Sequence, residues 1–169
     1  MNVDIRPLTK DLDRSGFSCA NPSLDEWLLN YAWQNEAKSA TRTFVAIDEL
    51  SGRLIAYYAC TVTSVRLANP TLLQKFFSSK YPIPAFLLAK LAVDSDYKSK
   101  GVGSLLLRHA LLNALEISEK VGLQAIVVDA IDDNAASFYR HNGFTRFDEE
   151  PLKLFIPMKV VETSLKGML

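Results

Sequence analysis

Residues 85 to 115 constrain the fold of this chain more than any other stretch. Ala85 to Val93 is a nearly continuous apolar run, interrupted only by Lys90. Such a run fits a strand covered on both faces. It leads into Asp94-Ser95-Asp96-Tyr97-Lys98-Ser99-Lys100-Gly101-Val102-Gly103-Ser104, and then into a helix with Leu107, Ala110, Leu111, Ala114 and Leu115 on one stripe. Leu105, Leu106 and Leu112 widen that stripe, so the helix is expected to pack broadly on a sheet. A glycine-bearing turn before a helix leaves unpaired N–H groups converging where the helix dipole favours negative charge. Gly101 can take a positive φ, and Gly103 lacks the Cβ that would hold a phosphate away from the helix. Lys98 and Lys100 add positive charge. The ligand expected there carries a pyrophosphate. The same spacing also suits a plain strand–turn–helix joint, so the pattern alone is weak evidence.

The remaining elements can be read around this unit. Val3 to Leu8 reads as a first strand. Asn21-Pro22-Ser23-Leu24-Asp25-Glu26 combines N-cap candidates, an early proline and a Ser-x-x-Glu capping box. The helix it starts is expected to run to about Lys38, with Leu24, Trp27, Leu28, Tyr31 and Ala32 on its inner face. Thr41 to Ile47 and Leu54 to Val65 are β-rich and flank Leu50-Ser51-Gly52, which predicts a hairpin. A short helix is expected near 70–77. Leu123 to Ile131 reads as another buried strand, with Asp133 or Asn134 capping a short helix. Phe144 to Phe147 and Leu152 to Met158 read as a closing hairpin. Strands first paired by hairpins and then joined through a helix give an α/β class with a mixed sheet and helices on both faces.

With 169 residues, 49% of them hydrophobic, the chain is expected to form one domain over 1–169 with a substantial core. Its 19 basic and 19 acidic residues cancel, so composition gives no support for nucleic-acid binding and leaves only a local basic patch open. Cys19 and Cys60 lack metal-ligand spacing. They are expected to be buried or free thiols in a reducing compartment, and no metal site is expected. No apolar run reaches the roughly 18 residues of a membrane span, and Met1 to Arg6 shows no signal-peptide core, so a soluble cytoplasmic protein is expected. His109 lies among leucines and reads as a surface or core histidine, and His141 as a helix-end cap. Cys60 reads as a small core residue.

A second segment, Asn134-Ala135-Ala136-Ser137-Phe138-Tyr139-Arg140-His141-Asn142-Gly143-Phe144, strengthens the reading of the first. Together the two resemble the GNAT N-acetyltransferase superfamily: a loop for the acetyl-CoA pyrophosphate, then a helix carrying a Phe-Tyr pair followed by Gly-Phe. The family's usual Gln or Arg at the loop start is Lys98 here. The resemblance implies the GNAT fold and direct attack of an amine on the thioester of acetyl-CoA, with no metal. It implies that Leu91, Ala92 and Val93 lie along the pantetheine, and that Lys98, Ser99, Lys100, Gly101, Val102, Gly103 and Ser104 hold the pyrophosphate. Asn134 and Phe138 would contact the pantetheine or the adenine end. Tyr139 would protonate the leaving thiolate. A phenol with a pKa near 10 is a poor base at neutral pH and a competent acid toward a forming thiolate. No residue stands out as a general base.

The resemblance reaches beyond the cofactor segments. Phe17 to Leu28, Arg42 to Ala46, Tyr57-Tyr58, Pro82 to Val93 and Pro151 to Phe155 resemble GNAT toxins of type II toxin–antitoxin modules. That implies acetylation of the amino group on charged tRNA, inhibition of translation, a ribbon-helix-helix antitoxin, promoter DNA bound only through the antitoxin complex, and a homodimer. Lys38, Arg42 and Lys90 are the candidate tRNA contacts, Lys90 because a charge inside an apolar strand lines a cleft or snorkels. A small amine or a protein N-terminus is the competing substrate class. An inactive cofactor-binding regulatory partner is the non-enzyme alternative.

Overall fold

The computed structural model describes residues 1–66, 77 and 82–166. Seven strands, β1 (Val3–Pro7), β2 (Arg42–Asp48), β3 (Leu54–Val65), β4 (Ile83–Val93), β5 (Ala125–Asp129), β6 (Thr145–Arg146) and β7 (Lys153–Pro157), form one mixed sheet in the order β1-β2-β3-β4-β5-β7-β6. β4 and β5 run parallel. The pairs β1–β2, β2–β3, β5–β7 and β6–β7 are antiparallel. The expected class, α/β with a mixed sheet, is the one observed. The short helix expected near 70–77 lies outside the described residues apart from Phe77.

The chain divides into two compact units. The first comprises Met1–Thr61 and Ala89–Ala110. Its core gathers Leu8, Phe17, Leu24, Leu28, Ala32, Val45, Ile47, Leu54, Tyr57 and Ala92. The helical stretch from residue 22 supplies three of these, but it is not one regular helix. Helix α1 (Pro22–Glu26) passes through a π-turn at Trp27–Tyr31 into α2 (Ala32–Ala37). The Ala32 N–H donates to the carbonyl of Trp27, five residues back. This wider turn keeps Leu24, Leu28 and Ala32 buried and leaves Tyr31 46% exposed. Tyr31 therefore does not share the inner face as its spacing suggested. The N-cap is Asn21, whose side chain accepts from the Leu24 N–H at 3.1 Å, with Pro22 in the first helical position. Ser23 lies inside the helix, so the expected capping box does not form.

The second unit comprises Val62–Leu88 and Leu111–Leu169. Val65, Phe77, Ile83, Ala85, Ala125, Val127 and Phe155 form a core cluster there. β4 pairs with β5 from Ala85↔Ala125 to Leu88↔Val128, within this unit. Helix α4 (Asp133–His141) is capped by Asp132, which accepts from the Ala135 N–H at 2.8 Å, and not by Asp133 or Asn134. An aspartate one residue earlier has the extended backbone that capping needs. Helix α5 (Met158–Lys166) continues directly from β7. Helix α3 (Val102–Ser118) belongs to both units. It buries Leu106, Leu107, Ala110 and Ala114, while Leu105 and Leu112 are 42% and 38% exposed. The broad face read from the sequence is therefore narrower, because those two leucines lie on the opposite side of the 3.6-residue repeat.

Candidate active site

β4 extends beyond its pairing with β5 to Val93. Ala89, Lys90, Leu91 and Val93 are half-buried along this end, and Ala92 is packed into the first unit's core. A strand end of this kind keeps backbone groups within reach of an extended, amide-bearing ligand. Asp94 follows, and its N–H donates to the Ile55 carbonyl at 2.8 Å, fixing where the strand stops.

The next segment is a 3₁₀ turn, Ser95–Tyr97, followed by Lys98-Ser99-Lys100-Gly101 and the start of α3. Ser99 and Gly101 both take positive φ, 61° and 81°. The first intrahelical bond joins the Leu105 N–H to the Gly101 carbonyl at 3.1 Å. The N–H groups of Val102, Gly103 and Ser104 therefore have no intrahelical acceptor, and the dipole of a 17-residue helix adds to their pull on an anion. A Cβ built at Gly101 would meet nothing within 4 Å, so the loop leaves open space on that side. Gly103 and Ser104 sit in the first turn, half-buried and exposed. A diphosphate fits this arrangement.

Both lysines of the loop also have partners within the protein. Lys98 Nζ donates to the Cys19 carbonyl at 2.7 Å, and Lys100 Nζ lies 5.1 Å from the Tyr97 ring centroid. Lys98 thus ties the loop to the 18–19 segment. Asp94, which sequence reasoning overlooked, does the same from the other end. It is 2% exposed, accepts from the Ser18 N–H at 3.1 Å and from the Asp96 N–H at 3.0 Å, and faces Arg53 at 3.6 Å. The Ser95 N–H bonds the Ser18 carbonyl at 2.8 Å. An acidic residue closing an apolar strand was the only signal available for it.

Tyr139 lies on the buried face of α4 in the second unit. Its ring meets Phe138 and Phe144 edge-on, with centroids 5.2 and 5.5 Å away. Burial pushes its phenol well above the ordinary tyrosine value. The hydroxyl thus holds its proton at neutral pH, so it cannot act as a base there. Among the described residues no hydrogen bond engages that hydroxyl. Phe138 is half-buried and Asn134 exposed in the first turn of the helix. His141 ends α4 beside Arg140, where cations suit the dipole.

Of the three expected tRNA contacts, Lys38 is exposed at the end of α2. Arg42 is held by Glu36, with Nη1 3.3 Å from its carboxylate and 3.1 Å from its carbonyl. Lys90 Nζ stands 5.1 Å from the Trp27 ring centroid, and burial lowers its pKa. Trp27 in turn stacks on Tyr57, whose hydroxyl bonds the Leu24 carbonyl at 2.8 Å. Cys19 and Cys60 are free and buried, and burial raises their pKa to about 11 and about 12, so neither is a nucleophile at neutral pH. His109 Nδ1 lies 2.8 Å from Tyr58 Oη and packs on Phe44. Among the described residues no group of three or more His, Cys, Asp or Glu could hold a metal ion.

Residues 39–146 match the acetyltransferase (GNAT) domain model. The chain belongs to the GNAT acetyltransferase family. The chain is 36% identical over 148 residues to a tRNA-acetylating toxin of Mycobacterium tuberculosis, covering 87% of each chain. Two solved structures share the fold. AtaT complexed with acetyl-methionyl-tRNAfMet has a TM-score of 0.84 at 23% identity, over 97% of this chain and 99% of that one. A mutant AtaT toxin bound to the C-terminus of the antitoxin AtaR and acetyl-CoA has a TM-score of 0.83 at 24% identity, over 96% and 98%.

Proposed function

We propose that this GNAT protein transfers the acetyl group of acetyl-CoA to the amino group of charged tRNA, and so acts as the toxin of a toxin–antitoxin pair. The observation that carries the reading is the 36% identity to a tRNA-acetylating toxin across 87% of both chains. It is supported by a loop that fits a diphosphate and a buried tyrosine that retains its proton.

Bound acetyl-CoA supplies the acetyl group as a thioester, which the acceptor amine attacks directly. The α3 N-terminus and the loop Lys98 to Ser104 hold the diphosphate through backbone N–H groups. Leu91, Ala92 and Val93 align the pantetheine along the end of β4, and a backbone N–H there polarises the carbonyl. Asn134 and Phe138 add contacts to the cofactor arm. Tyr139 donates its phenolic proton to the departing thiolate as the C–S bond breaks, the attacking amine gives up a proton to water, and water returns one to the phenolate. Lys98 serves as a strut that shapes the loop, because its ammonium is already committed to Cys19. Lys38 and Lys90 contribute charge toward the RNA, with Arg42 restrained by Glu36. The partner that silences the enzyme is a ribbon-helix-helix antitoxin, through which the pair reaches promoter DNA, and the protein works as a cytoplasmic homodimer.

Induced expression tests the reading in cells. Wild-type protein should arrest growth and leave N-acetylated aminoacyl groups on tRNA by mass spectrometry. Tyr139→Phe at equal abundance should do neither. Harmless expression of a wild-type protein that binds acetyl-CoA would reject the toxin role.

A further inference from the structure

The exposed face of α4 carries a second feature. Ser137, Arg140 and His141, one helical turn apart on α4, combine with Phe144, Thr145 and Arg146 to line an open groove of about 750 Å³. None of the lining residues is acidic. Among the described residues neither Arg140 nor Arg146 makes an ion pair, whereas Arg42 and Arg53 both do. Arg146 Nε is buried and has no hydrogen-bond partner among the described residues. Asp148 and Glu149, the nearest carboxylates in sequence, make no ion pair with either arginine among the described residues, and Glu150 is taken by Lys153 at 3.6 Å.

In a chain of zero net charge, a groove lined by two guanidinium groups, an imidazole and two hydroxyls is a local concentration of anion-binding chemistry. Guanidinium forks match phosphate oxygens, and Ser and Thr hydroxyls donate to them. Among its described lining residues the one large apolar side chain, Phe144, is 4% exposed, so these residues favour a polar, charged partner over an apolar anchor. We propose that this groove binds the phosphate backbone of the RNA substrate, an inference that rests on the charged-tRNA reading. Tyr139 on the buried face of the same nine-residue helix and the phosphate contacts on its exposed face are then fixed to one rigid element.

Direct binding of uncharged tRNA, measured by fluorescence anisotropy across a salt series, tests the groove apart from catalysis. Arg140 and His141 are exposed, so Arg140→Gln/His141→Gln is compatible with folding. This double variant should weaken tRNA binding about tenfold and flatten the slope of log K against log salt by roughly 1 to 2. Arg146→Gln should act in the same direction. Affinity for acetyl-CoA should stay unchanged in each, and Lys120→Gln, an exposed charge outside the groove, should leave tRNA binding as it was. Unchanged tRNA affinity and slope in the double variant would overturn the proposal. So would a loss of acetyl-CoA affinity in place of tRNA affinity, since the phosphates would then be the cofactor's. Arginine-dependent tRNA binding by a protein that acetylates no tRNA would support the groove and defeat the transferase reading.

Discussion

Tyr139 and His109 are both aromatic groups perturbed by burial, and they have opposite consequences. Tyr139 keeps its proton, so its loss should be felt mainly in turnover. Tyr139→Phe should lower kcat about 10²–10⁴-fold while acetyl-CoA affinity, measured by calorimetry, stays nearly constant. Near-normal turnover would remove it from the acid role. His109 has its pKa lowered from an ordinary value near 6.5 by burial. The folded protein therefore resists a proton that the unfolded chain accepts, and stability should fall as pH drops from about 6.5 toward the lower folded value. Tm measured between pH 7.5 and 5 should decline less in His109→Gln than in wild type, at roughly the pH values this linkage sets. Identical slopes would contradict it. Tyr139 was legible in the sequence because a Phe-Tyr pair precedes Gly-Phe. The commitment of Lys98 was not, because its partner carbonyl lies 79 residues away and no spacing rule reaches that far. Asp94 was equally hidden, since two of its partners, Ser18 and Arg53, are far from it in sequence.

The strand–loop–helix element joins the sequence reading to the site. Gly101 combines φ of 81° with open space where a side chain would stand, so both conformation and charge can be tested there. Asn and Asp tolerate left-handed backbone better than other residues with a Cβ. Gly101→Asp should therefore weaken acetyl-CoA binding at least about tenfold more than Gly101→Asn, a difference of about 1.4 kcal/mol from the added carboxylate. Equal affinities in calorimetry would place the diphosphate elsewhere. This element was legible because hydrophobic run, glycines and apolar stripe all act locally. Other details were set by neighbours. The π-turn at Trp27–Tyr31 has no sequence signature and turns Tyr31 outward. The closing hairpin is shorter on one side than its apolar residues implied, since β6 keeps only Thr145 and Arg146. Helix α5 went unread because Val160, Val161 and Leu165 follow a strand without a break.

At the level of the whole molecule, the chain's neutrality and its proposed polyanionic substrate are compatible only if charge is distributed unevenly. The groove of Arg140, His141 and Arg146 is one such concentration, and composition could not reveal it because a net charge says nothing of where the charges stand. Substrate class separates the charged-tRNA reading from acetylation of a small amine or a protein N-terminus. The most direct measurement supplies purified protein and acetyl-CoA with charged tRNA, a polyamine and N-terminal peptides in parallel, and follows each acceptor by mass spectrometry. The account predicts a 42 Da gain, the mass of one acetyl group replacing a hydrogen by the transfer chemistry of this class, on the aminoacyl group alone, absent with Tyr139→Phe. Acetylation of the polyamine or the peptides with every charged tRNA left unmodified would contradict it.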